Sequence, residues 1–155
     1  FALSGSRFKL PYFPLTLNFK PINMYFWLMR ITVLGAGAWG TALAKLLHES
    51  GHDVVLWGHE ERLNTIHKQG CNERYLPKIT LPKDWKLEAD HTSAIKNATC
   101  AVMAVPSLNF RERAEALSNF NGIVISATKG IENESYLTMG GILSECDPMA
   151  QIATI

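Results

Sequence analysis

The sequence predicts an α/β fold built on a doubly wound, mostly parallel sheet. Three observations predict it. Apolar, β-branched runs alternate with stretches of helical periodicity, as in successive strand–helix–strand units. The first unit carries a glycine-rich turn between its strand and its helix. A later run, TCAVMAV at residues 99–105, is apolar without interruption, as a strand buried on both faces requires.

The first strand is residues 31–34, ITVL, and the helix that follows runs over residues 41–50 with Leu43, Leu46 and Leu47 at helical spacing. Between them Gly35, Gly37 and Gly40 fall in the G-x-G-x-x-G pattern. Strand, tight turn and helix together are the context a dinucleotide fingerprint needs, and they make the predicted sheet Rossmann-type. Gly35 permits the turn. Gly37 lets backbone N–H groups approach a pyrophosphate, and Gly40 lets the helix pack closely on the strand. The helix start then offers free N–H groups and a positive dipole end to phosphate. A turn that only packs helix on sheet is the blander alternative.

Gly51 suits the position just past this helix, and residues 53–57, DVVLW, form the second strand. A strand–helix–strand unit of this length makes a parallel pair with a right-handed crossover. NAD sites place an acidic residue about 20 positions past the glycine turn, on the ribose 2′-hydroxyl. Here no acid closes the strand. His59 follows Gly58 and is placed to face a 2′-phosphate, with Arg62 as a helper. This favours NADPH, while Glu60 within reach of a ribose keeps NAD open.

Residues 60–69 read as a helix, with Leu63, Ile66 and His67 on one side. Two Leu-Pro pairs hold residues 70–82 extended. In that segment Arg74 and Tyr75 either border the cofactor or anchor the loop to the core. Residues 85–90 alternate as a short strand, and His91-Thr92-Ser93 caps a brief helix through Ala98. The strand at 99–105 ends in Pro106-Ser107, at the edge where open α/β sheets bind ligands. A helix over 108–120 and a strand over 122–128 follow. Lys129 then stands at the same ligand edge, beside a nicotinamide or an anionic substrate rather than merely as a solvated strand end. Residues 132–145 read as a helix weakened by Gly140-Gly141, and 151–155 begin one more strand.

The chain has 155 residues, 47% of them hydrophobic and 19% charged, which suits one domain with a real core. Residues 1–30 carry Arg7, Lys9, Lys20 and Arg30 and no acid. That leaves 11 of the 15 basic side chains against all 14 acidic ones, a net of −3, so nucleic acid is not an expected partner. Cys71, Cys100 and Cys146 are far apart, form no C-x-x-C pair and indicate neither zinc nor a disulfide framework. Cys100 reads as a core residue, and the compartment as reducing and cytoplasmic. No metal site is expected. No apolar run approaches the ~20 residues of a membrane span. Residues 1–28 are proline-broken, aromatic and unlike the rest. They read as sequence upstream of a start at Met29, outside the fold, in preference to a targeting segment.

Five blocks occur in order: ITVLGAGAWGT from Ile31, GHDVVLWG from Gly51, NERYLP from Asn72, AVPS from Ala104 and SATKGIE from Ser126. Together they closely resemble the amino-terminal cofactor domain of bacterial-type NAD(P)-dependent glycerol-3-phosphate dehydrogenases, from about residue 29 to 155. The resemblance implies reversible hydride transfer between NAD(P)H and dihydroxyacetone phosphate, giving sn-glycerol 3-phosphate for phospholipid synthesis. It implies that Ala38 and Trp39 lie on the cofactor, His59 near its adenosine end, and Lys129 against both cofactor and substrate. In the family the general-acid lysine and most of the phosphate site belong to a later, helical carboxyl-terminal domain, missing here. Residues 29–155 are therefore expected to be an incomplete Rossmann domain of a fragment, with no catalytic residue in this chain and a homodimer possible at full length. An isolated dinucleotide-binding module without turnover is the competing reading. A ketopantoate or 6-phosphogluconate-type reductase is disfavoured by the NERYLP and ATKG blocks.

Overall fold

The computed structural model describes residues 28–155. The reading of residues 1–28 lies outside that range, apart from Leu28. The elements are β1 (Arg30–Leu34), α1 (Ala38–Glu49), β2 (Asp53–Trp57), α2 (Glu60–Gln69), β3 (Lys86–Glu88), α3 (His91–Ile95), β4 (Cys100–Met103), α4 (Phe110–Glu115), β5 (Ile123–Ser126), α5 (Met139–Cys146) and β6 (Gln151–Thr154). The sheet order is β3-β2-β1-β4-β5-β6, and every pairing is parallel. This is the doubly wound order of the dinucleotide-binding fold, with the direction of winding switching between β1 and β4.

Period-two alternation sends the two sides of each strand into separate cores. Ile31, Val33, Val54, Leu56 and Val102 meet Ala44 of α1 and Leu63 and Ile66 of α2 on one face. Leu34, Ala101, Met103 and Val124 meet Phe110 and Ala114 of α4 and Ile142 and Leu143 of α5 on the other. Thr32 is fully buried on that second side, where its hydroxyl donates to the Ala94 carbonyl at 2.6 Å. Cys100 is buried as expected, and burial pushes its thiol up to about 11.

Several expected boundaries move for local reasons. Helix α1 starts three residues early, at Ala38, so Ala38 and Trp39 form its first turn. Its packed face is Gly40, Thr41 and Ala44, while Leu46 points to solvent. Asp90, not the following His-Thr-Ser, caps α3 by accepting from the Ser93 N–H at 2.7 Å. The helix expected over 108–120 is a 3-10 turn at Ser107–Asn109 followed by α4, and bonds three residues apart tighten the chain from Leu117 to Phe120.

The largest correction concerns residues 132–145. Only α5 is helical there. Tyr136 adopts φ +57°, which a right-handed helix excludes, and Ile131 pairs with Thr138 in an antiparallel bridge. Thr138 then caps α5 through the Gly141 N–H at 3.1 Å. The glycine pair sits inside this helix: a side chain on Gly140 would lie 3.1 Å from Thr154 Cγ2 of β6.

Candidate functional site

A cleft of about 690 Å³ opens over the carboxyl ends of the strands, at the switch between β1 and β4. That volume suits a small-molecule or cofactor site. Its floor is the glycine turn. Gly35 has φ +124°, and a Cβ there would stand 2.4 Å from the Ala104 carbonyl oxygen. Gly40 is buried behind the turn and does not line the cleft; a Cβ there would meet the Gly35 carbonyl oxygen at 1.8 Å. Gly37 is different. It has ordinary φ −81°, caps α1, and a Cβ on it would meet nothing within 4 Å.

Helix α1 starts here with no side-chain cap and no acid in its first turn. Its first intrahelical bond runs from the Thr41 N–H to the Gly37 carbonyl, so the N–H groups of Ala38, Trp39 and Gly40 precede the ladder. Free donors, a helix dipole and open space above Gly37 fit the pyrophosphate of a dinucleotide. Gly58 adds to the fit. A side chain there would come 2.7 Å from Ala36 Cβ and close the floor between β1 and β2.

Basic side chains line the walls. His59, Arg62, Arg113 and Lys129 face the cleft, and among its described lining residues no carboxylate appears. His59 is the exposed residue capping α2 in extended conformation, at the end of β2. Glu60, left open as a ribose ligand, does not line the cleft. Arg62 donates to the Ala36 carbonyl at 3.5 Å and to the Tyr75 hydroxyl at 3.2 Å, with its guanidinium 4.6 Å from the Tyr75 ring centre. Tyr75 thus borders the cleft and anchors its loop at once, while Arg74 stacks on the same ring at 5.3 Å. Lys129 is exposed and also lines the cleft, three residues past the end of β5.

Three contacts that the motifs alone do not announce hold this geometry. Asn72 is buried, and its amide donates to the Thr41 hydroxyl at 2.8 Å and to the Ala36 carbonyl at 3.2 Å, tying NERYLP to the glycine turn. Trp39 Nε1 donates to the Ala127 carbonyl at 3.1 Å, linking α1 to the end of β5. The Thr128 hydroxyl donates toward the carbonyls of Val105, at 2.8 Å, and Met103, at 3.2 Å, joining the ends of β4 and β5. The Asn that opens the NERYLP block and a Thr beside the strand-end lysine were the available signals. Arg113, also missed, sits 5.1 Å from the Trp57 ring centre, and the His91 ring lies 5.8 Å from the same indole. Desolvation, and then the Arg113 charge, hold the His91 imidazole below its ordinary pKa.

The winding order and this cationic cleft define a Rossmann-type dinucleotide-binding domain, with NAD or NADP as the cofactor. Comparison with known proteins makes the class particular. The chain belongs to the family described as NAD-dependent glycerol-3-phosphate dehydrogenase N-terminus, whose model matches residues 30–155. It is 42% identical over 132 residues to a glycerol-3-phosphate dehydrogenase (NAD(P)+) of Halorhodospira halophila, covering 81% of this chain and 39% of the relative. It is 37% identical over 124 residues to that of Carboxydothermus hydrogenoformans, covering 77% and 37%. A crystal structure of glycerol-3-phosphate dehydrogenase from Coxiella burnetii superposes with a TM-score of 0.72 at 29% identity, over 82% of this chain and 39% of that one. The chain thus spans less than two-fifths of the length of these relatives.

Proposed function

We propose that this chain is the cofactor-holding part of a dehydrogenase that interconverts dihydroxyacetone phosphate and sn-glycerol 3-phosphate in phospholipid synthesis, with NADPH preferred. The observation that carries the reading is the cleft: the cations Arg62, Arg113 and Lys129 with His59 beside them, a glycine turn open above Gly37, and no carboxylate among its described lining residues. Family membership supports the substrate, and the relatives' names favour it over a module without turnover.

When bound, the nicotinamide supplies the hydride. The chain's own residues orient and neutralise. The Ala38 and Trp39 N–H groups, with Gly35, Gly37 and Gly40 shaping the turn, hold the pyrophosphate. His59 meets the 2′-phosphate end. Lys129 adds positive charge where the nicotinamide and the substrate phosphate meet. No cleft residue is given the proton-donor role, which the family resemblance assigns to a lysine of a later helical domain. We read residues 29–155 as one domain, the location as cytoplasmic and the whole protein as a homodimer without nucleic-acid partners.

Two experiments test this. His59→Asp should lower NADPH affinity relative to NADH roughly tenfold, by replacing an attractive group with a repulsive one; an unchanged ratio removes His59 from the account. For the substrate, the chain is joined to the remaining length of the Halorhodospira halophila relative. Dihydroxyacetone phosphate should then consume NADPH. A folded, NADPH-binding chimera indifferent to this ketone would refute the substrate assignment.

A further inference from the structure

Lys129 is held from both sides, and the two holds differ in kind. On its amino side the Thr128 hydroxyl is fastened to the carbonyls ending β4. On its carboxyl side Gly130 turns at φ +141° and packs near Ser107, so that a Cβ there would lie 3.2 Å from Ser107 Cβ. Two residues further on, Glu132 is gripped by Arg111 of α4. Arg111 Nε donates to Glu132 Oε1 at 2.8 Å and Nη2 to Oε2 at 2.6 Å, a bidentate pair. The same Nη2 reaches Glu145 of α5 at 3.2 Å, and Ser135 donates to Glu132 Oε2. The pair is partly buried, with side-chain exposures of 31% for Arg111 and 22% for Glu132.

This arrangement has a chemical consequence for Lys129. A carboxylate three residues away is the nearest competitor in sequence for its ammonium. Both Glu132 oxygens are already occupied, and among the described residues Lys129 makes no ion pair. Arg111 also stands two residues after Asn109, which lines the cleft, so one guanidinium ties the start of α4 to the loop after β5.

We propose that Arg111 and Glu132 are positioning residues for Lys129: their ion pair fixes the loop that presents its ammonium to the cleft and keeps that ammonium free for an anionic ligand. This rests on the reading of Lys129 as a cofactor contact. Neither Arg111 nor Glu132 lines the cleft, so any effect on binding must pass through another residue.

The test is a double-mutant cycle on the whole 155-residue chain, with NADPH affinity as the readout. Lys129→Ala should weaken binding about tenfold, and Arg111→Met roughly three- to tenfold, with no further loss in the combined variant. The same factor for Arg111→Met on both backgrounds, or no loss on the native one, would overturn the proposal, since a general loosening of the fold ignores Lys129. Glu132→Gln provides a second cycle if Arg111→Met does not fold, with the same pattern expected. If Lys129→Ala binds NADPH normally, the cofactor role of Lys129 itself is wrong, a failure distinct from additivity with an active Lys129.

Discussion

Gly37 and Gly40 stand three residues apart under opposite constraints. Gly40 is demanded by the protein's own packing, because any side chain would be driven into the Gly35 carbonyl. Gly37 is demanded by nothing inside the chain. Replacing each by alanine should therefore separate folding from binding. Gly40→Ala should cost ~3 kcal/mol of stability by overpacking. Gly37→Ala should cost less than ~1 kcal/mol, as a poorer cap, yet weaken dinucleotide binding by obstructing the approach. Urea unfolding and NADPH titration of both variants check this. A Gly37→Ala protein that binds normally would mean that the open space above the turn is not the pyrophosphate's. Spacing alone assigned the turn to Gly35, the ligand approach to Gly37 and close packing to Gly40, but not what stands behind each one. That distinction depends on Ala104 and Gly35 lying behind the turn, a matter of tertiary packing.

Elements are joined here by a few polar side chains, and these were the hardest to read. Asn72 fastens the loop after α2 to α1 by two buried hydrogen bonds. Asn72→Ala should destabilise the chain by ~1–3 kcal/mol, because Thr41 and the Ala36 carbonyl are left buried and lose a donor; thermal unfolding measures it. In sequence Asn72 was only the first letter of a family block. The pairing of Glu132 with Arg111 likewise explains why a helical pattern over 132–145 yields a loop for its first half. Local periodicity lost to an ion pair, a left-handed Tyr136 and the Thr138 cap. The pair also sets an acid response. The Arg111 guanidinium, and then the Ser135 hydroxyl, hold the Glu132 carboxyl down to about 2, against an ordinary 4.5. Its folded value being depressed, its contribution is complete above the unfolded value and fades as pH falls from there through about 2. The stability gap between the native chain and Glu132→Gln should stay constant from neutrality to pH ~5 and close toward pH ~2. A gap that closes by pH ~4 would contradict the pairing.

At the scale of the whole molecule the sheet was the most legible feature. Six strands, their order of appearance and their parallel sense all follow from apolar runs separated by crossovers, and the structure differs mainly in shorter ends. Parallel strands buried on both faces, as β1, β2 and β4 are, leave little freedom of register, which is why periodicity sufficed there. The cleft was legible in part. Its glycine turn, His59 and Lys129 stood out by position, whereas Arg113 is contributed by a helix whose sequence carries no motif. Helix α4 brings Arg113 over Trp57 only once α4 has packed on β4 and β5. With no carboxylate among the described lining residues, the assembled cleft is suited to a multiply charged anion in a way that no single block shows.

The most direct test of the central claim is calorimetric titration of the 155-residue chain with NADPH and NADH. Saturable binding of one NADPH per chain, tighter than NADH, is expected, with a matching rise in unfolding temperature. A folded chain that takes up neither nucleotide at millimolar concentration would contradict it.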